Sequence, residues 1–243
     1  MMAEVERAFR VFRYKQGQSA PTYQTFTTKV GPRTTVLEAL QEIRRTQDRT
    51  LILRHSCHHA SCGTCGMRVN GQEVLACVTN VLDLGTETVL VEPIRNIPLV
   101  ADLVVDMGAF YERYGDAGMA YIRQSEFQPE AELPAGIAQY TRYENCLECG
   151  LCVSACPIMG SSADYYGPAA LAAAWRVVAE PRGQNPQVIL DWVDNESGCW
   201  RCHVAYECTE VCPSEVDPGG AIMSLRRKLT GRKFRRLLRL PDA

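Results

Sequence analysis

The chain has 243 residues, 46% hydrophobic and 22% charged, with 26 basic against 28 acidic side chains and a net charge of −2. This length suits one large or two modest domains, the composition is that of an ordinary globular protein, and the charge balance points to no nucleic acid or other polyanionic partner. The 12 cysteines, about 5% of the chain, are too few for a disulfide scaffold. MMAEVERAFRVFRYKQ holds no hydrophobic leader, and no run reaches the ~20 apolar residues that cross a bilayer. The expectation is a cytoplasmic chain whose thiols stay reduced.

In chain order, RAFRVFRY and TYQTFTTKV have strand composition. A helix follows: Thr35 caps it, Glu38 completes a capping box, and Val36, Leu40 and Ile43 share one face. LILR reads as a short strand. GMRV-NG-QEVLAC reads as a hairpin, because Asn70-Gly71 supplies the positive φ angles of a type I′ turn, and TVLVEP as the last strand. Together these predict a small α+β domain over residues 1–105, with one helix across a sheet and a cysteine loop at its edge.

Beyond residue 105 the predicted texture is helical, to residue 243. DLVVDMGAFYERYG has helical spacing, and residues 115–136 read as a Gly-, Pro- and acid-rich connector. GPAALAAAWRVVAEPRG predicts a helix with Pro168 in its first turn and Pro181 and Gly183 closing it. From Arg226 to Arg239 stand eight basic residues and no acidic one. That run is read as a solvated helical end or as a basic tail on anionic lipid headgroups.

The cysteines fall into three groups, and clustered thiols in a reduced protein point to metal. Cys57, Cys62, Cys65 and Cys77 have the plant-type [2Fe–2S] spacing, C-x4-C-x2-C with a distant fourth. Gly63 and Gly66 let the backbone come close and leave N–H groups for the sulfurs. Cys57-x-His59 opens a Rieske pattern whose second half is missing, and a structural zinc would not need the x4 spacing. His55, His58 and His59 are expected on the loop surface.

Cys146, Cys149, Cys152 and Cys156-Pro157 form the bacterial ferredoxin run, in which the fourth cysteine serves the other cluster. The partner run holds Cys202, Cys208 and Cys212-Pro213, with Ala205 where a cysteine is due. Cross-ligation assigns Cys146, Cys149, Cys152 and Cys212 to a [4Fe–4S] cluster. Cys156, Cys202 and Cys208 remain for a cluster with one unliganded corner, expected as [3Fe–4S]. Cys199 is left over, as a small partly buried residue or a fourth ligand to that corner. Cys199-Trp200-Arg201-Cys202-His203 also matches the C-x-x-C-H of haem attachment, but that use would take Cys202 from a cluster whose other ligands are in place. His203 is a surface or hydrogen-bonded histidine, or a proton donor beside Cys202.

SCHHASCGTCGMRVNG, CLECGLCVSACP, GPAALAAAWR and RCHVAYECTEVCP, in this order, resemble the iron–sulfur subunit of succinate dehydrogenase and fumarate reductase, respiratory complex II. The resemblance implies an N-terminal β-grasp plant-type ferredoxin domain followed by an all-α bacterial-ferredoxin-like domain. It implies an electron-transfer subunit between FAD in a flavoprotein partner and quinone held by a membrane anchor, often bearing haem b. The chain would sit peripherally on the cytoplasmic face of the inner membrane, with Pro157 and His203 bordering the quinone. Two features depart from the family pattern: His58 stands where arginine is common, and no tryptophan stands in Pro157-Ile158-Met159-Gly160-Ser161-Ser162, where many ubiquinone-using members carry one, which points toward menaquinone. The alternatives are fumarate reduction by the same wire, or an iron–sulfur subunit of another multi-subunit oxidoreductase.

Overall fold

The computed structural model describes residues 4–116, 132, 134–183 and 186–239. Packing divides the chain into two compact units. One is formed by residues 1–107 with 147–154, the other by residues 108–146 with 155–243.

The first unit is built on a five-stranded sheet. Strands β1 (Val5–Arg13), β2 (Thr22–Val30), β3 (Gly66–Val69), β4 (Gln72–Leu75) and β5 (Thr88–Glu92) lie in the order β2-β1-β5-β3-β4. β1 pairs antiparallel with β2 and parallel with β5, and β3 pairs antiparallel with both β4 and β5. Alternation puts Phe9, Val11, Phe26, Val30, Met67, Val69, Val89 and Val91 on the buried face. Helix α1 (Val36–Thr46) covers that face with Val36, Leu37, Leu40 and Ile43, all buried. Each such side chain contributes about 1.5–3 kcal/mol by leaving water. The capping box forms as its sequence predicts: Glu38 N–H donates to Thr35 Oγ1 at 3.2 Å and Thr35 N–H to Glu38 Oε2 at 2.8 Å. Asn70 (φ 49°) and Gly71 (φ 85°) make the turn between β3 and β4.

Three local expectations are corrected. LILR is not a strand; Leu51 and Leu53 are buried, but the Ile52 N–H donates to Asp102 Oδ2 at 2.9 Å rather than to a ladder. β5 is not the last strand, because β6 (Leu99–Ala101) and β7 (Val104–Val105) form a small hairpin. DLVVDMGAFYERYG is helical only from Gly108, where α2 (Gly108–Asp116) begins, since its first residues belong to that hairpin. Most of the expected connector 115–136 lies outside the described residues.

Asp102, 1% exposed, ties this region together. It accepts from Arg13 Nε at 3.1 Å and from the Tyr14 N–H at 3.0 Å, while Arg13 also meets Asp48 Oδ2 at 2.6 Å.

The second unit is helical. It contains α2, α3 (Ile137–Glu144), α5 (Gly167–Ala179), α6 (Pro186–Val193), the short α7 (Glu207–Glu210) and α8 (Pro218–Leu237); α4 (Leu151–Ala155) lies between α3 and α5 in the chain. The alanines of α5 let it pack closely on α8, whose Ala221, Ile222, Leu225 and Leu229 are fully buried. Tyr143, Ala172, Val216 and Ala221 form a buried cluster, and Cys146, Trp175 and Cys212 pack against it.

Candidate iron–sulfur sites

The loop from Cys57 to Cys65 is shaped by residues in the left-handed region, His58 (φ 63°), Ala60 (φ 59°) and Gly63 (φ 69°). This backbone turns consecutive N–H groups inward. His59 and Ser61 N–H donate to Cys57 Sγ at 3.5 and 3.3 Å, and Ala60 N–H donates to Cys77 Sγ at 3.4 Å. Cys62 lies within hydrogen-bonding reach of Cys57, and Cys77 of Cys65. The His59 N–H, with Ser61 and Cys62, draws the Cys57 thiol down to about 5, favouring the thiolate that iron would bind. Burial pushes the Cys65 thiol up to about 12, which an iron would reverse by binding the thiolate directly. Four sulfurs, a wrapped loop and N–H donors aimed at two of them suit a [2Fe–2S] group.

The glycines act differently from expectation. The sulfur-directed N–H groups come from residues 59–61, whereas the Gly66 N–H is taken by Gly63 C=O at 3.2 Å. Instead, Gly63 makes room for a neighbour: a Cβ there would lie 2.7 Å from Cys149 Cβ and 2.8 Å from Leu147 C=O. Segment 147–154 is held in the same unit by Ser154. Its hydroxyl donates to the buried Glu73 at 2.9 Å and accepts from the Arg95 N–H at 2.8 Å. His58 and His59 are exposed and His55 is half-buried, and none of the three is needed as a ligand.

Cys149 and Cys152 belong to the first unit, with Gly150 (φ 81°) between them; Cys146 and Cys212 belong to the second. Cys146 and Cys212 border the same buried cluster, and Cys212 Sγ accepts from the Val216 N–H at 3.3 Å.

In the second unit Cys156, Cys202 and Cys208 line one cavity, together with Pro157, Tyr165, His203, Ala205 and Ile222. Burial raises the Cys156 thiol, and raises that of Cys208 to about 12. Val204 (φ 62°) is a β-branched residue in the left-handed region, an outlier that implies strain. The strain has a use: it turns the Val204 N–H onto Cys202 Sγ at 3.3 Å. Tyr165, 1% exposed, lines the cavity with Cys202, and burial among the three cysteines holds its pKa far above the ordinary phenol value. Thiols as donors, a cavity between them and an N–H on one sulfur fit an iron–sulfur group. Among the described residues no His, Cys, Asp or Glu group of three or more is gathered for a single metal ion; a cluster with bridging sulfides holds its thiolates further apart.

Pro157 and His203 thus stand together at this cavity, with His203 exposed. Cys199 does not line it. It is fully buried on a short 3-10 turn, more deeply than its sequence suggests, and burial lifts its thiol to about 11. Because it lies outside the cavity lining, Cys199 is not placed to fill the open corner of a cluster held there.

Residues 8–112 match the 2Fe-2S iron-sulfur cluster binding domain family and residues 142–216 the 4Fe-4S dicluster domain family. The fumarate reductase iron-sulfur subunit of Mycobacterium tuberculosis is 36% identical over 225 residues, covering 90% of each chain. The chain belongs to the succinate dehydrogenase and fumarate reductase iron–sulfur subunits. The Escherichia coli fumarate reductase iron-sulfur subunit is 35% identical over 91% of this chain and 92% of its own. The mitochondrial succinate dehydrogenase (ubiquinone) iron-sulfur subunit of Candida glabrata is 30% identical over 80% of this chain and 78% of its own. A chain of the Mycobacterium smegmatis Sdh1 complex in the apo form shares the fold, with a TM-score of 0.82 at 24% identity over 96% of this chain and 98% of that one. A β-grasp ferredoxin domain followed by a helical iron–sulfur domain is the architecture of this family, and the chain is its electron-carrying subunit.

Two residues at the third cysteine group escape sequence reasoning. Tyr165 sits in DYYGP with no pattern to single it out. Arg226 opens the basic run and reads as solvated, yet its Nε donates to Cys199 C=O at 2.8 Å and its Nη2 to Trp200 and Cys202 C=O at 3.0 and 2.6 Å.

Proposed function

We propose that the chain is the electron-transfer subunit of a succinate dehydrogenase, working between an FAD-bearing flavoprotein and a membrane anchor that holds quinone, with haem b expected in the anchor. Cys57, Cys62, Cys65 and Cys77 hold [2Fe–2S]; Cys146, Cys149, Cys152 and Cys212 hold [4Fe–4S]; Cys156, Cys202 and Cys208 hold [3Fe–4S]. When bound, these groups supply one-electron carriers of graded potential. The protein's own part is to fix the thiolates, aim N–H groups at their sulfurs and exclude water, which together set each potential.

The observation that carries the reading is the third group. Three cysteines share one cavity, and the fourth lining position where a ferredoxin has cysteine is Ala205. A corner without a thiolate favours the three-iron form. Pro157 and His203 border the quinone at this end, with His203 as proton donor. Residues 1–105 and 106–243 are the working domains. No described helix is long and apolar enough to cross a membrane; the reading places the subunit peripherally, on the cytoplasmic face of the inner membrane.

Anaerobic reconstitution with iron and sulfide tests this. Three distinct EPR signals are expected, one of them from a three-iron cluster in the oxidised state. Ala205→Cys is expected to convert that signal to a four-iron one. Two or fewer clusters in the parent chain would sink the assignment.

The reverse direction is the second reading, because the Mycobacterium tuberculosis and Escherichia coli relatives carry the fumarate reductase name. The same cysteines serve both directions. Comparing succinate oxidation with fumarate reduction in the assembled complex, with ubiquinone-like and menaquinone-like acceptors, separates them.

A further inference from the structure

The basic run is not simply a solvated end. Its cations have two fates. Arg226 is taken by the carbonyls near Cys202, Arg232 pairs with Asp191 at 2.7 Å and Asp194 at 3.6 Å, and Lys233 pairs with Asp194 at 2.7 Å. Arg227, Lys228, Arg235, Arg236 and Arg239 are exposed and have no ion pair or hydrogen bond from their side chains among the described residues. Arg227, Lys228, Arg232 and Arg235 line a groove of about 390 Å³ beside α6, with Gln187, Leu190 and Gly231 and no acidic side chain in the lining. Three of its cations, Arg227, Lys228 and Arg235, have no acidic partner among the described residues.

An apolar feature adjoins it. Phe234, Leu237 and Leu238 are 60%, 78% and 50% exposed. Their i, i+3, i+4 spacing puts them on one stripe, opposite the stripe of Leu225 and Leu229 that faces the core. Cations with no partner flanking an outward apolar stripe at a helix end form the pattern of a segment lying in a membrane interface.

We infer that the outward side of α8, from Arg227 to Arg239, docks on an anionic phospholipid surface. Headgroup phosphates occupy the groove against Arg227, Lys228 and Arg235, beside the already paired Arg232, while Phe234, Leu237 and Leu238 enter the headgroup–acyl boundary. Nucleic acid fits less well, because a phosphodiester chain gives the exposed aliphatic stripe nothing to bury against. This deepens the peripheral membrane placement proposed above and is independent of electron transfer.

Vesicle co-sedimentation of the full, cluster-loaded chain tests it, with cluster EPR recorded on the same samples. The parent chain is expected to pellet with vesicles of phosphatidylcholine carrying about one-third phosphatidylglycerol, and not with phosphatidylcholine alone. Salt at about 0.5 M should weaken binding by screening. Neutralising Arg227, Lys228 or Arg235 singly to Gln should each cost about fivefold in vesicle affinity. Phe234→Ser with Leu237→Ser should cost about tenfold or more while leaving the salt dependence in place. All these residues are exposed, so the cluster signals should be unchanged, and loss of those signals would instead count against the cluster assignment. Equal pelleting with neutral and anionic vesicles, no effect of the three neutralisations, or binding to duplex DNA that outcompetes the vesicles would overturn the proposal. So would full displacement by millimolar inorganic phosphate, which would make the groove a site for a free anion.

Discussion

Arg226 Nη2 donates to the carbonyl of Cys202 at 2.6 Å. With its bonds to the Cys199 and Trp200 carbonyls, this guanidinium fixes the backbone on which a proposed ligand of the third cluster stands. A cation close to a cluster favours the electron-rich, reduced form, so its removal lowers the reduction potential. Arg226→Gln should lower the midpoint of the three-iron signal by roughly 40 mV or more, the one-electron equivalent of about 1 kcal/mol. Arg226→Lys keeps the charge but loses the fork, so its midpoint should fall between the two. An EPR redox titration in which all three proteins agree would contradict this role.

Tyr165 should act on the same cluster without holding its frame. It is buried in the lining of the cavity it shares with Cys202, and polar groups turned on a ligand sulfur raise cluster potentials. Tyr165→Phe is expected to retain three clusters, lower the third midpoint by tens of millivolts, and leave the other two midpoints where they were. A midpoint shift shared by all three clusters would mean a general packing defect.

Gly63 separates two cysteine segments by the width of one hydrogen. Gly63→Ala introduces a Cβ 2.7 Å from Cys149 Cβ at a φ of 69°, where any side chain is strained. The expected result is reduced iron content affecting the first two clusters together, with the third intact, read from the separate EPR signals. Gly85→Ala is the control, since its φ is 66° but nothing lies within 4 Å of the added carbon; it should lose stability alone.

The Arg13 network makes a prediction for stability. Arg13→Met leaves Asp102 buried without its cation and should cost about 3–5 kcal/mol, measured by denaturant unfolding at neutral pH. Asp48 adds a pH dependence. The Thr50 hydroxyl, then Arg13, hold its carboxyl well below the usual range. A depressed carboxylate stabilises the fold fully above the ordinary aspartate value of about 3.9, and that contribution disappears as pH falls below it. The stability gap between the parent and Asp48→Asn should therefore be widest near neutrality and narrow towards pH 3.

Cysteine spacing made the metal chemistry legible because ligand spacing is a local property. The capping box at Thr35 and the Asn70-Gly71 turn are legible for the same reason. LILR misled because its buried leucines imitate a strand, while Asp102, 50 residues on, claims the Ile52 N–H. The roles of Tyr165 and Arg226 were hidden because each depends on a partner more than 20 residues away, and neither residue type announces a cluster. Cys199 was ambiguous in sequence because its place outside the cavity of Cys156, Cys202 and Cys208 is set by the tertiary packing around its turn.

His58, Ala60, Glu148, Val204, Tyr206, Glu215 and Asp217 all take left-handed backbone, and each lies within five residues of a cysteine assigned to a cluster. Such conformations cost roughly 1–2 kcal/mol apiece for residues other than glycine. Loops bent in this way hold their shape against an inorganic core more readily than alone. Iron and sulfide, where bound, would offset this backbone strain, so cluster loading is expected to slow proteolysis at these loops, a difference that limited proteolysis before and after reconstitution would read.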